Sequence, residues 1–449
     1  MRTLKLDGLL PTALLLVIGL CPLVEIANNI APSLLSVTQR AHLPEVLAAG
    51  IVVVAIVLTL GRGWPTAGRG TWPGGLGLLL LALLLWSVFC GLRSPYPDFA
   101  LAEWLRVILG LGVYSLAAYG LRAGQPRRVI GGLIVLGAGM AASGLLQFGA
   151  AREEGGGRAF DHMLGLFGDN ENLGSFLMLL LPLTAGQALD RENNQALRLG
   201  AQAAGLIMLV TLAITCTRAA WIGGLVGFAV MGLLTIRYVP SHQGGGRRRL
   251  LVASFAAGIV IVTLGIGGAG GMVTGRALSI THSTSLFSFT DRVLKSEAAC
   301  RMAAARPWTG WGLGAWPVVQ RRWTGEGDTP AQVLARRDVW SRGEDQQSLA
   351  HDFYAQWAAE TGLPGLGLYV AALAAFFLSA LRRLPRLHAD RQRGLLISCL
   401  AAVAGGCVDS LASPAYNFPG VSVLFWLCLG LGVAACREER AVPRERPRA

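Results

Sequence analysis

Charge is scarce in this chain. Of 449 residues only 14% are Asp, Glu, Lys or Arg and 53% are apolar. The apolar residues gather in repeated blocks of about 20, the length that spans a hydrocarbon core of roughly 30 Å. That combination indicates an all-α polytopic membrane helical bundle. Cysteine is also scarce and unpatterned. Cys21, Cys90, Cys216, Cys399, Cys407, Cys428 and Cys436 fall in or at the ends of apolar blocks and only Cys300 lies elsewhere, which leaves neither a disulfide framework nor zinc-ligand spacing. No sequence repeat of fixed period is present. Glycine, at 59 residues, is abundant, and it suits close helix packing in lipid.

The blocks predict twelve transmembrane helices, near residues 9–26, 44–60, 75–92, 103–121, 129–149, 173–189, 199–215, 219–236, 250–272, 364–381, 395–411 and 420–435. Lys and Arg are retained on the cytoplasmic side of bacterial-type membranes, so alternate loops test that count. By count, 23 of the 39 Lys and Arg lie in one alternating set of loops and ends. These include Arg122, Arg127 and Arg128, Arg247 to Arg249, and Arg382 to Arg393. Both termini are therefore expected in the cytoplasm. Residues 273–350 form a long extracytoplasmic loop subdomain with short helices, inserted before the tenth span, and residues 437–449 form a basic cytoplasmic tail. The whole of 1–449 reads as a single integral membrane domain. The net charge of +13 is explained by orientation, so no nucleic-acid partner is expected. The first span follows Arg2 and Lys5 as a secretory signal would, but eleven spans follow and it is read as retained.

Polar groups cost several kcal/mol in hydrocarbon, so those at the extracytoplasmic span ends are weighed individually. Four clusters stand out. In GLFGDNENLGSF, Asn170 and Asn172 either cap the sixth span, accepting from free N–H groups, or line a site. In TCTRAAWIGG, Arg218 breaks the charge bias of its neighbours. It either snorkels to headgroups or binds an anion near a helix start, where the dipole adds to the guanidinium fork. In FTDRVLKSEAACRMAAARPWTGWGLGAW, a basic helix ends at Pro307 and the alternating Gly310, Gly312 and Gly314. Lys295, Arg301 and Arg306 fit a helix lying on the membrane surface, with Val293, Ala304 and Trp308 facing lipid, whereas Arg292, placed near the helix start, resists that explanation. In GEDQQSLAHDFYAQWAAETGLPG, Ser348 is the expected cap, His351 the first-turn acid/base group, and Gly362 with Pro364 the stop. Glu360 lies nine positions after His351, about half a turn round the helix, and is read as structural.

A neutral imidazole suits proton abstraction near neutral pH. Two separated Arg forks suit a diphosphate whose charge grows as it departs. Together they describe group transfer from a diphosphate-linked donor. No convincing extracytoplasmic metal-ligand set accompanies them; Asp169 and Glu171 are the one close acidic pair, and they are discounted, so no cofactor or metal is expected. The His351 segment, TRAAWIG, DNENLGSFLMLLLPL and the run from Arg292 through Pro307 to Gly314 resemble the motifs of the bacterial O-antigen ligase family, related to O-antigen polymerases and protein O-oligosaccharyltransferases. Coverage is best over residues 165–367.

The resemblance implies an inverting, metal-independent membrane glycosyltransferase of the bacterial inner membrane with a periplasmic site. His351 would be the general base, Arg218 and Arg292 the diphosphate ligands, and Asn170, Asn172 and Asp352 site-lining residues. The donor would be an undecaprenyl-diphosphate-linked glycan. The acceptor would be lipid A core, or another glycan or protein hydroxyl in a polymerase or an O-oligosaccharyltransferase. The chain departs from the family pattern at Asp352, where Asn is common, at Ser296, where an aromatic is common, and at Glu171, where Pro is usual. A lipid or polysaccharide transporter is the reading from another class. It expects ionisable groups in mid-span and broken helices near the bilayer centre, whereas Glu25, Glu103, Arg106 and Asp409 are expected near span ends.

Overall fold

A computed structural model describes residues 9–20, 48–56, 74–122, 124–153, 167, 169–239, 283–324 and 349–437. Among these residues there is no strand. The principal helices are α1 (Leu9–Leu20), α2 (Gly74–Leu92), α3 (Pro97–Ser115), α4 (Gln125–Glu153), α5 (Asn170–Leu189), α6 (Gln195–Ile214), α7 (Arg218–Tyr238), α8 (Ser283–Ala305), α9 (Phe353–Arg383), α10 (Asp390–Asp409) and α11 (Pro419–Arg437). A further helical segment covers 48–56. Eight of the described helices are long and apolar enough to cross a membrane, and the chain is a multi-pass membrane protein. The span expected at 250–272, much of the 273–350 loop subdomain, Ser348 and the tail beyond Arg437 lie outside the described residues.

α5 and α11 are buried on nearly every side. A helix apolar all round belongs at the centre of a bundle, and α5 accordingly touches α4, α6, α7 and α10. The most extensive pairing is α7 on α10, and glycine spacing is the cause. Gly223 and Gly227, four apart on α7, face Gly405 and Ala401, four apart on α10. A Cβ on Gly223 would lie 2.7 Å from the Gly405 carbonyl oxygen, and one on Gly405 would lie 2.6 Å from the Gly223 carbonyl oxygen. Small residues at this period let two backbones touch, which is how helices associate where lipid is as apolar as leucine.

Several expectations need correction. The loop after residue 273 holds two short helices as expected, Trp316–Val319 and Arg321–Thr324, but also the long α8 from Ser283 to Ala305, with Arg292 near its middle instead of its start. α8 stops before Pro307, as its sequence requires. It is not a helix lying free on a surface. Lys295 is 92% buried and α8 packs along α9, although Val293 and Trp308 are exposed as expected. Glu103 and Arg106 lie in the second and third turns of the continuous helical stretch Pro97–Gly120, where they pair with each other. The stop expected at Gly362 and Pro364 is present, because Gly362 leaves the helical conformation and separates two helical runs. The chain bends at Gly362 (φ 74°, ψ 177°) and continues to Arg383.

That bend is a docking joint. The Gly-rich turn after α8 lies against it, with Trp311 N–H donating to the Ala359 carbonyl (2.9 Å), Gly312 N–H to that of Glu360 (3.0 Å), and Leu363 N–H to that of Pro307 (2.7 Å). The Glu360 carboxylate, almost wholly buried, accepts from Gly314 N–H and Trp316 N–H, both at 3.0 Å. Gly310 and Gly362 both have positive φ and sit against opposing main chain, where a Cβ would approach within 2.4 Å and 2.7 Å respectively. Glycine is the residue that meets both demands.

Two predictions follow from this packing. Glu360→Ala strands two buried amide donors at about 1–3 kcal/mol each and should lower thermal stability in detergent markedly, while Glu360→Gln, which keeps one carbonyl acceptor, should lose less. Gly405→Ala forces main chain apart without relief and should cost about 1–3 kcal/mol by the same melt, whereas Gly139→Ala, with open space around it, should leave the melt unchanged.

Candidate active site

The start of α5, the end of α6, the start of α7, the middle of α8 and the end of α10 meet at one end of the bundle around a cavity of about 200 Å³. Its lining is polar and includes Asn170, Glu171, Ser175, Thr215, Thr217, Arg218, Arg292, Asp409 and Ser413. Sequence position separates Arg218 from Arg292 by more than a whole span, yet both face this one space.

The α6–α7 turn places Arg218. Cys216 takes a left-handed conformation (φ 57°), Thr215 and Thr217 share a hydroxyl contact of 2.9 Å, and Trp221 donates to the Leu212 carbonyl at 2.9 Å. Gly174 of α5 leaves room for the turn, since a Cβ there would meet the Thr217 hydroxyl at 2.2 Å. Arg218 is the first residue of α7, so its guanidinium belongs to a helix start, where unpaired N–H groups favour anions. On α8, Arg292 pairs with Glu171 and reaches the Ala412 carbonyl at 3.3 Å.

His351 precedes α9 instead of occupying its first turn. It holds φ 55°, a left-handed conformation that costs a residue with a Cβ and persists where surroundings over-determine it. Those surroundings are visible on both sides. Ala350 donates to Gln356 Oε1 (3.2 Å) and accepts from the Ser296 hydroxyl (3.3 Å), and Phe353 N–H donates to the Ser410 carbonyl (3.0 Å). The imidazole Nδ1 stands 3.8 Å from Glu171 Oε2. Glu171 therefore links His351 to Arg292 at the edge of the cavity.

The other candidates divide. Asn170 lines the cavity and donates to the Thr215 carbonyl at 3.4 Å. Asn172 is buried, is not among the lining residues, and its Oδ1 has no hydrogen-bond partner among the described residues. Neither Asn is the cap, because Asp169 accepts from Glu171 N–H at 3.1 Å. Asp352 caps α9 by accepting from Ala355 N–H at 3.1 Å, and burial pushes its carboxyl upward. Two acids were missed. Glu171, discounted from sequence, is central, and Asp409, expected at a span end, is buried in the cavity wall. The Ser175 hydroxyl faces Asp409, but neither carboxylate oxygen makes a hydrogen bond of ordinary geometry. The signal for Glu171 was an acid in the position where the resembled family has Pro.

Burial and the nearby Glu171 charge push the Asp169 carboxyl up to about 6, against the opposing pull of backbone amides and Arg292. A larger cavity, about 250 Å³, opens at the other end of the bundle beside Arg127, Asp190 and Arg391. Arg391 there is already committed to Asp190 and Glu192, both at 2.9 Å.

A sequence model of the family described as O-antigen ligase matches residues 203–370. Over that stretch the chain resembles O-antigen ligases. The matched stretch carries Arg218, Arg292, His351 and the whole Glu360 joint, while Asn170, Glu171 and Asp409 come from outside it. No curated protein matches the chain.

The raised Asp169 carboxyl gives a signed prediction. The folded state holds its proton more tightly than the unfolded chain, so its contribution falls as pH rises from about 4 to 6. Wild type should gain stability relative to Asp169→Asn between pH 7 and pH 5 in paired thermal melts. A constant offset across that range would remove the assignment.

Proposed function

We propose that this chain is a membrane glycosyltransferase that moves a glycan from undecaprenyl diphosphate to an acceptor hydroxyl, in O-antigen ligation to lipid A core. The observation that carries this reading is the convergence of Arg218 and Arg292 on one polar cavity with His351 at its rim. The family match over residues 203–370 supports it. The charge bias of the loops supports an inner-membrane protein with cytoplasmic termini and a periplasmic site.

In this reading the acceptor hydroxyl gives its proton to an imidazole nitrogen of His351, and its oxygen bonds to the anomeric carbon from the face opposite the leaving group. The bond from that carbon to the diphosphate oxygen breaks and its electron pair leaves with the diphosphate. Configuration inverts because there is one displacement. Arg218 and Arg292 stabilise the charge that grows on the departing oxygen, with bidentate donors pre-placed where it appears. Cationic side chains thus do the work that a divalent metal does at other diphosphate sites, and the step is metal-independent. Polymerases and protein O-oligosaccharyltransferases use the same chemistry, and the acceptor distinguishes them.

The test is product formation by purified protein in lipid nanodiscs, given an undecaprenyl-diphosphate glycan and either lipid A core, free glycan or a Ser/Thr peptide. His351→Ala should abolish transfer to whichever acceptor is used, and unchanged product would sink the base assignment. Arg218→Lys and Arg292→Lys keep charge but lose the fork, and each should lower kcat/KM by about tenfold or more, equivalent to about 1.4 kcal/mol of transition-state stabilisation. Full activity in both would remove the diphosphate site.

A further inference from the structure

Glu171 sits where its charge needs a reason. It lies in the first turn of α5, inside a cavity read above as holding an anion, and a fixed carboxylate there would repel a diphosphate. Its two oxygens face different partners, one pairing with Arg292 and the other 3.8 Å from His351 Nδ1. The second distance is beyond a hydrogen bond, and a shift of about 0.6 Å would bring it to the upper end of the ordinary range.

We propose that Glu171 is a shared carboxylate: it neutralises Arg292 in the empty site and, displaced by the donor diphosphate, pairs with His351 Nδ1, so that the base is oriented only when donor is bound. This rests on the diphosphate reading given above. A diphosphate carries more charge than one carboxylate and is the stronger partner for the Arg292 fork. Its arrival removes the attraction that holds Glu171 and adds a repulsion, and the imidazole Nδ1 stands 3.8 Å from the carboxylate's other oxygen. A carboxylate on Nδ1–H fixes the tautomer in which Nε2 is the acceptor and steadies the imidazolium once Nε2 has taken the acceptor's proton.

The surroundings favour movement of Glu171 over movement of the ring. His351 is pinned between Ala350 and Phe353 by hydrogen bonds to α8, α9 and the turn after α10. The remaining charged groups around Glu171 are otherwise placed. Asp169 and Asp352 accept from amides at the starts of α5 and α9, Asp409 stands in the α10 wall, and Arg218 lines the cavity from the start of α7.

Glu171→Gln keeps the shape and removes the charge. Inorganic pyrophosphate binding to the full-length protein in nanodiscs, measured by calorimetry at fixed salt, should tighten by about tenfold or more in the variant. In the transfer assay at saturating donor, kcat should fall and its acid limb should move to lower pH by about one unit, because an imidazole without the carboxylate loses its proton more readily. Equal pyrophosphate affinities, or superimposable acid limbs, would overturn the proposal. Absence of pyrophosphate binding to either protein would instead remove the diphosphate site of the proposed function, and the shared carboxylate with it.

Discussion

Two backbone N–H groups, those of Gly314 and Trp316, end on the Glu360 carboxylate, and the geometry of the candidate site hangs on that contact. α8 carries Arg292 and α9 is preceded by His351, so whatever fixes one helix on the other sets the distance between them. The joint does this with main chain, clamping the turn after α8 against the bend at Gly362 from both sides. Main-chain hydrogen bonds have little freedom, and glycine at 310 and 362 permits the approach. A side-chain contact between two long helices would leave the spacing softer. Here it is locked at the end away from His351, while the hydrogen bonds of Ala350 and Phe353 lock the near end.

The same logic operates in the bundle core. α7 and α10 meet backbone to backbone through Gly223, Gly227, Ala401 and Gly405, and each brings a charged residue to the same end, Arg218 at the start of one and Asp409 at the end of the other. Close packing therefore also sets the width of the cavity. Wider side chains along that seam would push its two walls apart. Small residues in this chain are thus part of how the site is positioned as well as a general device for packing in lipid.

Electrostatically the cavity holds two guanidinium groups and two carboxylates, Arg218 and Arg292 with Glu171 and Asp409. An empty pocket with two unneutralised cations at a water–membrane boundary would draw any available anion. An internal carboxylate on Arg292 limits that without closing the site. On the proposed reading, fork and carboxylate together would make occupancy depend on a ligand whose charge exceeds that of a single carboxylate, as that of a diphosphate does.

The helical class and the location of most helices were legible in the sequence, because apolar blocks of about 20 residues have few other uses. So were Arg218, Arg292 and His351, each conspicuous as a charged or titratable group at the edge of an apolar block where polarity is costly. The structural role of Glu360 was legible too, from the half-turn separating it from His351. Other features depend on three-dimensional approach and leave no periodic trace. Gly362 reads locally as a stop and does break the helix, yet nothing local shows that the turn after α8 docks there and supplies partners for the bent main chain. Asn170 and Asn172 read as caps, yet Asp169 is one residue better placed. Glu171 and Asp409 read as a discounted acid and a span end, yet folding puts Glu171 on the Arg292 guanidinium and Asp409 in the wall of the same cavity. Sequence by itself determined which residues must avoid lipid, since that cost is paid residue by residue. Which of them share a cavity was decided by tertiary structure, because that depends on how closely helices distant in sequence can approach.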